Sequence, residues 1–295
     1  MALGTLYCID GSLFPVLNSM LWAEYRQNCK AVRLHLCFEL NRMIAADIIV
    51  GSGNSSERDA LRAMLKASVT YIADRGYQCF QLFHDIGIAQ AYFVIRVKHN
   101  LQYTIETALM VDLPQKCQIV FREVSDQMVL CANDPHKQTY RLVKFCVGSE
   151  CFLIMTNRLE LSTFQVILLY AYRWQIELMF RFLKRTMNGI HIINHSQNGI
   201  TIQFYMMLIV ALLELKLKQI IWTQYKDEKK QKEKSTQDNK KEENPLGIEK
   251  GYQIFDAISK NLKSLFKVGI HWLNALKAIL HQPFDGRAVA ILGVD

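Results

Sequence analysis

Asp10, Asp74 and Glu177 are the acids whose placement could do chemistry. Asp10 closes the first apolar run, Thr5–Asp10, ahead of Gly11-Ser12, and Asp74 ends the fourth expected strand inside Ala73-Asp74-Arg75-Gly76-Tyr77. Ligands gather at strand ends in open sheets. Carboxylates without nearby Cys or His suit a hard cation such as magnesium. An Asp beside a Gly is also an ordinary turn former, so neither acid is informative taken singly.

Glu177 lies in Tyr170-Ala171-Tyr172-Arg173-Trp174-Gln175-Ile176-Glu177, continued to Lys184-Arg185. On a continuous helix at about 100° per residue, Tyr170, Arg173, Glu177 and Lys184 share an arc of about 60°, and Arg181 and Arg185 extend the same side. Leu169, Ile176, Met179, Phe180 and Leu183 form the neighbouring core stripe. A carboxylate amid cations on one face reads in two ways. Arg173, Glu177 and Arg181 are spaced as a salt-bridge ladder, worth tenths of a kcal/mol per pair. The same face could instead hold a metal-binding acid flanked by groups that grip a phosphodiester. Trp174 points off the core stripe and either packs against the helix or stacks on a base.

The elements that position these groups follow from hydrophobic period. Strands are expected at Thr5–Asp10, Ala31–Leu40, Ala45–Val50, Thr70–Asp74 and Ala91–Lys98. Helices are expected from Ser56, an N-cap with Asp59 three residues on, and over Gln78–Asp85. The order is β-β-β-α-β-α-β. Residues 100–156 then read as strands at Gln118–Val124, Met128–Ala132, Thr139–Val147 and Cys151–Thr156. Helical period returns from Ser162 to Met187 and over 200–225. Arg33 and His35 fall on a strand away from the acids, with His35 structural.

The strand order resembles a ribonuclease H-like fold. Tyr170, Arg173, Glu177 and Lys184 match the spacing Tyr-x2-Arg-x3-Glu-x6-Lys. Together with Ile-Asp-Gly-Ser at 9–12 and Ala-Asp-Arg-Gly-Tyr at 73–77, the chain resembles the DDE transposases of bacterial insertion sequences, of insertion-sequence family four. The resemblance spans about residues 5–215. It implies an α/β fold: a ribonuclease H-like mixed sheet flanked by helices, a β-rich insertion before the Glu-bearing helix, and a helical C-terminal region. The implied domains are 1–99 with 157–225 as the catalytic domain, 100–156 as the insertion, 226–247 as a charged linker and 248–295 as a helical hairpin.

The resemblance also implies the chemistry. Asp10, Asp74 and Glu177 would be the catalytic acids and hold two Mg²⁺ ions, with Mn²⁺ able to substitute. Tyr170, Arg173 and Lys184 would contact DNA, with Arg181 added from the helical wheel. The expected partners are double-stranded DNA, at element ends and target, and a second copy or a full-length transposase. The expected location is the cytoplasm, with the nucleoid. Family members generally carry a helical region before the first Asp, whereas nine residues precede Asp10 here. The second expectation is therefore a truncated, non-catalytic remnant that binds DNA or interferes with transposase assembly.

Composition fits a DNA partner. The chain of 295 residues is 51% hydrophobic and 21% charged, with 35 Lys and Arg against 27 Asp and Glu, a net charge of +8. That is too apolar for a disordered chain, and a basic surface attracts phosphate. Residues 226–243 hold seven Lys and six acids with no apolar side chain, as in a solvated linker, so the basic excess belongs to the remainder. The eight cysteines contain no Cys-x-x-Cys pair and are read as reduced core thiols of a cytosolic protein. No signal peptide or membrane-length apolar run is expected.

Overall fold

A computed structural model of the chain describes residues 3–27, 29–185, 192, 194–213 and 216–217. The expected linker at 226–247 and hairpin at 248–295 lie outside the described residues. The chain divides into two units, Met1–Leu208 with His281–Asp295, and Ile209–Leu280. Asp10, Asp74 and Glu177 all belong to the first. Of the second, residues 209–213 and 216–217 are described, and they are helical.

Ten described strands form one mixed sheet: β1 (Thr5–Pro15), β2 (Glu24–Arg26), β3 (Cys29–Glu39), β4 (Ile44–Ser52), β5 (Val69–Ala73), β6 (Tyr92–Arg96), β7 (Tyr103–Ala108), β8 (Arg122–Cys131), β9 (Thr139–Val147) and β10 (Glu150–Thr156). The order across the sheet is β4-β3-β1-β5-β6-β10-β9-β8-β7, with β2 on the start of β3. β1, β5 and β6 are parallel neighbours, whereas β1–β3 and β3–β4 are antiparallel. This mixed sheet with flanking helices is the ribonuclease H-like arrangement that the strand order implies. The helices are α1 (Glu57–Ala63), α2 (Phe80–Ile88), α3 (Gln115–Gln118), α4 (Thr163–Tyr172) and α5 (Trp174–Arg185), followed by a helix over 197–213. Among the described residues, no helix is long and apolar enough to cross a membrane.

Alternation along β1 divides the core. Tyr7 and Ile9 join Leu61, Tyr71, Tyr77, Leu82, Phe83 and Phe93 on the face covered by α1 and α2. Leu6 and Cys8 are fully buried and point the other way, where the Cys8 thiol donates to Tyr172 O at 3.6 Å. Asp10 shares the parity of Cys8 and so belongs to the α4–α5 side.

Several local expectations change. β1 does not stop at Gly11-Ser12, because β3 pairs with it as far as Pro15↔Ala31; an available ladder outweighs the weak strand propensity of Gly and Ser. On its other edge, pairing with β5 reaches only Cys8↔Ile72. Asp10 is thus mid-strand, just beyond the end of the parallel pairing. β8 is one strand where two are expected, with a short helix, α3, before it. β7 carries mostly exposed residues, and so shows no apolar alternation.

The strands over 103–156 continue the main sheet, since β10 pairs with β6 (Thr156↔Val94) and β9 with β10. A buried network joins this extension to the start of α4. Arg141 donates to Asp126 through Nε and Nη2 at 2.9 and 2.6 Å, and to Leu161 O at 2.6 Å. Thr163, the first residue of α4, donates to Asp126 Oδ2 at 2.8 Å. Ser162 and Gln165 close a capping box on the same helix.

Cys146 and Cys151 face each other across β9 and β10 and are joined by a disulfide, which corrects the reading of all eight cysteines as thiols. Sequence spacing is silent about cross-strand register, and register decides the pairing.

Candidate active site

Asp10 and Asp74 come together from neighbouring strands. Each fixes one carboxylate oxygen within its own motif: Gly11 N–H donates to Asp10 Oδ1 at 2.8 Å, and Gly76 N–H to Asp74 Oδ1 at 2.8 Å. The second bond makes Asp74 the cap of the short 3₁₀ turn Arg75–Tyr77. Burial pushes the Asp10 carboxyl up to about 6; the Gly11 amide and Arg173 oppose this, while Asp74 and Glu57 add to it.

The helix carrying Glu177 is not continuous. α4 ends at Tyr172 and α5 begins at Trp174, with Arg173 at the joint. There the hydrogen bonds tighten to three-residue spacing, Arg173 N to Tyr170 O at 3.1 Å and Ile176 N to Arg173 O at 3.2 Å. A tightened turn shifts the phase of the residues after it, so the single helical wheel does not hold across 170–184. The neighbours nevertheless stay together. Arg173 Nη2 donates to Glu177 Oε1 at 2.6 Å, and its guanidinium lies 5.9 Å from the Tyr170 ring centroid. Burial works against the Arg173 charge, but Tyr170, Glu177 and Asp10 more than offset it and raise its pKa.

α5 packs on β1 and β3. Lys184 Nζ lies 4.9 Å over the Phe14 ring, and Asp10 partly counters the desolvation that lowers its pKa. Arg181 lies 5.0 Å over the Trp174 ring, so Trp174 packs within its own helix. Tyr170 is buried, 5% exposed, and burial raises its hydroxyl against the opposing pull of Arg173 and Arg96. Its ring leans on Phe152 of β10, and Arg96 lies 4.4 Å over Phe152. The sheet extension thereby touches Tyr170, whose ring lies beside the Arg173 guanidinium.

Four groups of the sequence motifs, Asp10, Asp74, Tyr170 and Arg173, are thus electrostatic neighbours, and Glu177 joins them through Arg173. The three acids are not tightly clustered. Among the described residues, the group of three potential ligand atoms lying within 4.8 Å of one another is Glu123, Cys146 and Cys151, of which two are tied in the disulfide. The donors at Asp10 and Asp74 are all oxygen and partly buried, and the Tyr77 hydroxyl, which has both acids among its charged neighbours, is buried without a hydrogen-bond partner. That set fits a hard divalent cation, whose charge would favour the ionised Asp10 against the burial that chiefly raises it and the smaller repulsion from Asp74 and Glu57.

Two residues near the acids escape the sequence reading. Glu57, in the first turn of α1, is an electrostatic neighbour of Asp10 and Asp74. Arg33 Nη1 donates to Glu57 Oε1 at 2.8 Å, so Arg33 sits at the edge of the acid cluster rather than outside it. Glu57 follows the Ser56 cap, where an acid is ordinary helix chemistry, and nothing in the local sequence separates it from Asp59. His35 is structural as expected: it is buried, Nε2 pairs with Ser55 Oγ at 2.9 Å, and burial lowers it to about 4.

The family described as transposase DDE domain matches residues 2–213. The chain is 23% identical over 216 residues to a Sinorhizobium fredii protein named as transposase y4zB, covering 71% of this chain and 60% of that one. It is 22% identical over 207 residues to a protein of Geobacillus stearothermophilus named as a transposase for insertion sequence element IS5377, covering 66% and 52%. A Synechocystis protein named for insertion sequence element IS4SA is 22% identical over 224 residues, covering 72% and 60%. The chain spans about half to three fifths of the length of these relatives. On a family match over most of its length, the chain belongs to the DDE transposases.

Proposed function

We propose that this chain cuts DNA at the ends of an insertion sequence and joins the freed 3′ ends to target DNA, with Asp10, Asp74 and Glu177 as its catalytic acids. The observation that supports this reading is Asp10, half-buried just past the end of the β1–β5 pairing and an electrostatic neighbour of Asp74, with Arg173 of the α4–α5 joint as its strongest charged neighbour and Glu177 bonded to that Arg173. In the first step a water oxygen bonds to phosphorus and the 3′ oxygen leaves as a hydroxyl. In the second, that hydroxyl attacks a target phosphodiester and a target 3′ oxygen departs.

Asp10, Asp74 and Glu177 would hold two divalent ions, Mg²⁺ or Mn²⁺, which when bound supply nucleophile activation and charge at the leaving oxygen. Arg173 and Lys184 place positive charge where a phosphodiester would lie. Tyr170 backs Arg173, and Arg181 adds a cation further along α5. Glu177 must exchange its Arg173 contact for the cation, and a phosphate taken up by Arg173 would release it. In this reading 1–99 with 157–225 is the catalytic domain, 100–156 an insertion, 226–247 a linker and 248–295 a helical hairpin. The protein acts on double-stranded DNA in the cytoplasm, at the nucleoid, as a dimer or beside a longer transposase.

The test is nicking of DNA carrying the element's ends, with Mg²⁺ or Mn²⁺, by the wild-type chain and Asp74→Ala. Cleavage that needs metal and is lost in the variant is expected. No metal-dependent cleavage, or equal cleavage by the variant, would overturn the proposal.

A further inference from the structure

Two glycines from separate motifs leave room for one side chain. A Cβ on Gly11, the residue after Asp10, would stand 3.1 Å from Glu57 Oε1 and 3.3 Å from Arg33 Cδ. A Cβ on Gly76, two residues after Asp74, would stand 3.2 Å from Glu57 Oε2 and 3.0 Å from Asp74 Oδ1. Neither glycine has a left-handed φ, so space, not turn geometry, is what their missing side chains provide. Glu57 lies between the two Asp-bearing segments with an oxygen toward each.

The surroundings hold it there. Arg33 Nη1 takes Oε1 at 2.8 Å, and Arg58, the next residue of α1, donates from Nε to Gly76 O at 3.1 Å, which docks the helix start on the Asp74 turn. Among the described residues Oε2 has no hydrogen-bond donor. Tyr77, fully buried, carries an unpartnered hydroxyl, and its charged neighbours, strongest first, are Glu57, Asp10 and Asp74. Leaving a buried hydroxyl unpaired costs about 1–3 kcal/mol. Here it is an unpaired donor whose charged neighbours are three carboxylates, open to an oxygen brought toward it when they gather on a cation.

We propose that Glu57 is a fourth carboxylate of the cation site begun by Asp10 and Asp74, presenting Oε2 to the cation while Arg33 fixes the side chain through Oε1. This rests on the reading of Asp10 and Asp74 as cation ligands. It gives Gly11 and Gly76 a shared role, since a methyl group at either position would push Glu57 aside. A plain Arg33–Glu57 ion pair has no need of Oε2 and leaves cation affinity indifferent to Glu57.

The experiment is titration of the full chain with Mn²⁺ alone, without DNA, by calorimetry and by electron paramagnetic resonance of free Mn²⁺. The set is wild type, Glu57→Gln, Asp74→Asn, Gly11→Ala, Glu57→Ala and the Gly11→Ala/Glu57→Ala double variant. Glu57→Gln and Asp74→Asn should each weaken Mn²⁺ by about tenfold or more. Gly11→Ala should weaken it in the wild-type background and add nothing once Glu57 is Ala, because both changes act through one side chain. Weakening by Asp74→Asn with none by Glu57→Gln overturns the role of Glu57 and leaves the Asp pair standing. No weakening by Asp74→Asn overturns the cation reading itself, and Glu57 falls with it. Should Glu57→Gln fail to fold by circular dichroism, Gly11→Ala, which keeps both charges, decides the matter.

Discussion

Arg173 donates to Glu177 at 2.6 Å across the joint between α4 and α5, and the same guanidinium is the strongest charged neighbour of Asp10. One cation is thus shared by an acid of the helix and an acid of the central strand. The ladder contact read from the helical wheel is formed, and the side chain that forms it also acts electrostatically on Asp10.

Removing that cation should be felt at Asp10. Arg173 lowers the proton affinity of Asp10, so Arg173→Gln leaves Asp10 protonated to higher pH. The pH at which Mn²⁺ binding is half-maximal should rise by about one unit. Arg173→Lys, which keeps the charge, should shift it less. An unchanged pH profile in Arg173→Gln would mean that the guanidinium does not act on Asp10.

The metal-free chain should be destabilised at neutral pH by Asp10. Its carboxyl titrates at about 6 when folded, against an ordinary 3.8. The folded state binds the proton more tightly, so stability falls as pH rises from about 4 to 6, and the full penalty is present above 6. Two units correspond to on the order of 3 kcal/mol. In chelator at pH 7.5, Asp10→Asn should therefore be more stable than wild type to urea, with the difference vanishing near pH 4. His35, lowered to about 4 from 6.5, has the opposite sign and loses stability as pH falls through that range, but it cancels between variant and wild type. Equal stability at pH 7.5 would contradict the buried placement of Asp10.

The sheet extension and α4 should separate energetically when Arg141 is lost. Arg141→Ala strands Asp126, whose side chain is fully buried, and should cost about 3–5 kcal/mol in urea unfolding. Replacing both partners, Arg141→Met with Asp126→Leu, should cost less than the single change. A loss under 1 kcal/mol for Arg141→Ala would show that the network does not tie α4 to the extension.

The Cys146–Cys151 disulfide closes a short hairpin, its cysteines five residues apart. A loop that small removes little entropy from the unfolded chain, so Cys146→Ser with Cys151→Ser should cost about 2 kcal/mol. The loss should appear in oxidising buffer and disappear in dithiothreitol. Equal stability in oxidising buffer would show that the thiols are free.

Much of the site's scaffold is legible in one dimension because its causes are local. The Ser56 and Ser162 caps bond to amides three residues on, and alternation along residues 31–40 reports the two faces of β3. Burial around Tyr71 and Phe93 follows from apolar runs. The joint at Arg173 is illegible because every residue from Tyr170 to Glu177 is compatible with a straight helix. β7 is illegible because exposure removes its alternation.

The sequence by itself determined the order of strands and helices over the first hundred residues apart from the short β2, the motifs that place Asp10, Asp74 and Glu177, and the cations beside Glu177, since each depends on residue type and short-range period. Only the tertiary structure decided which groups meet. It sets Glu57 between Gly11 and Gly76, turns Arg33 toward it, and carries Arg173 to Asp10. These contacts join residues between 19 and 163 positions apart, and strand register and helix docking, not local propensity, fix distances of that kind.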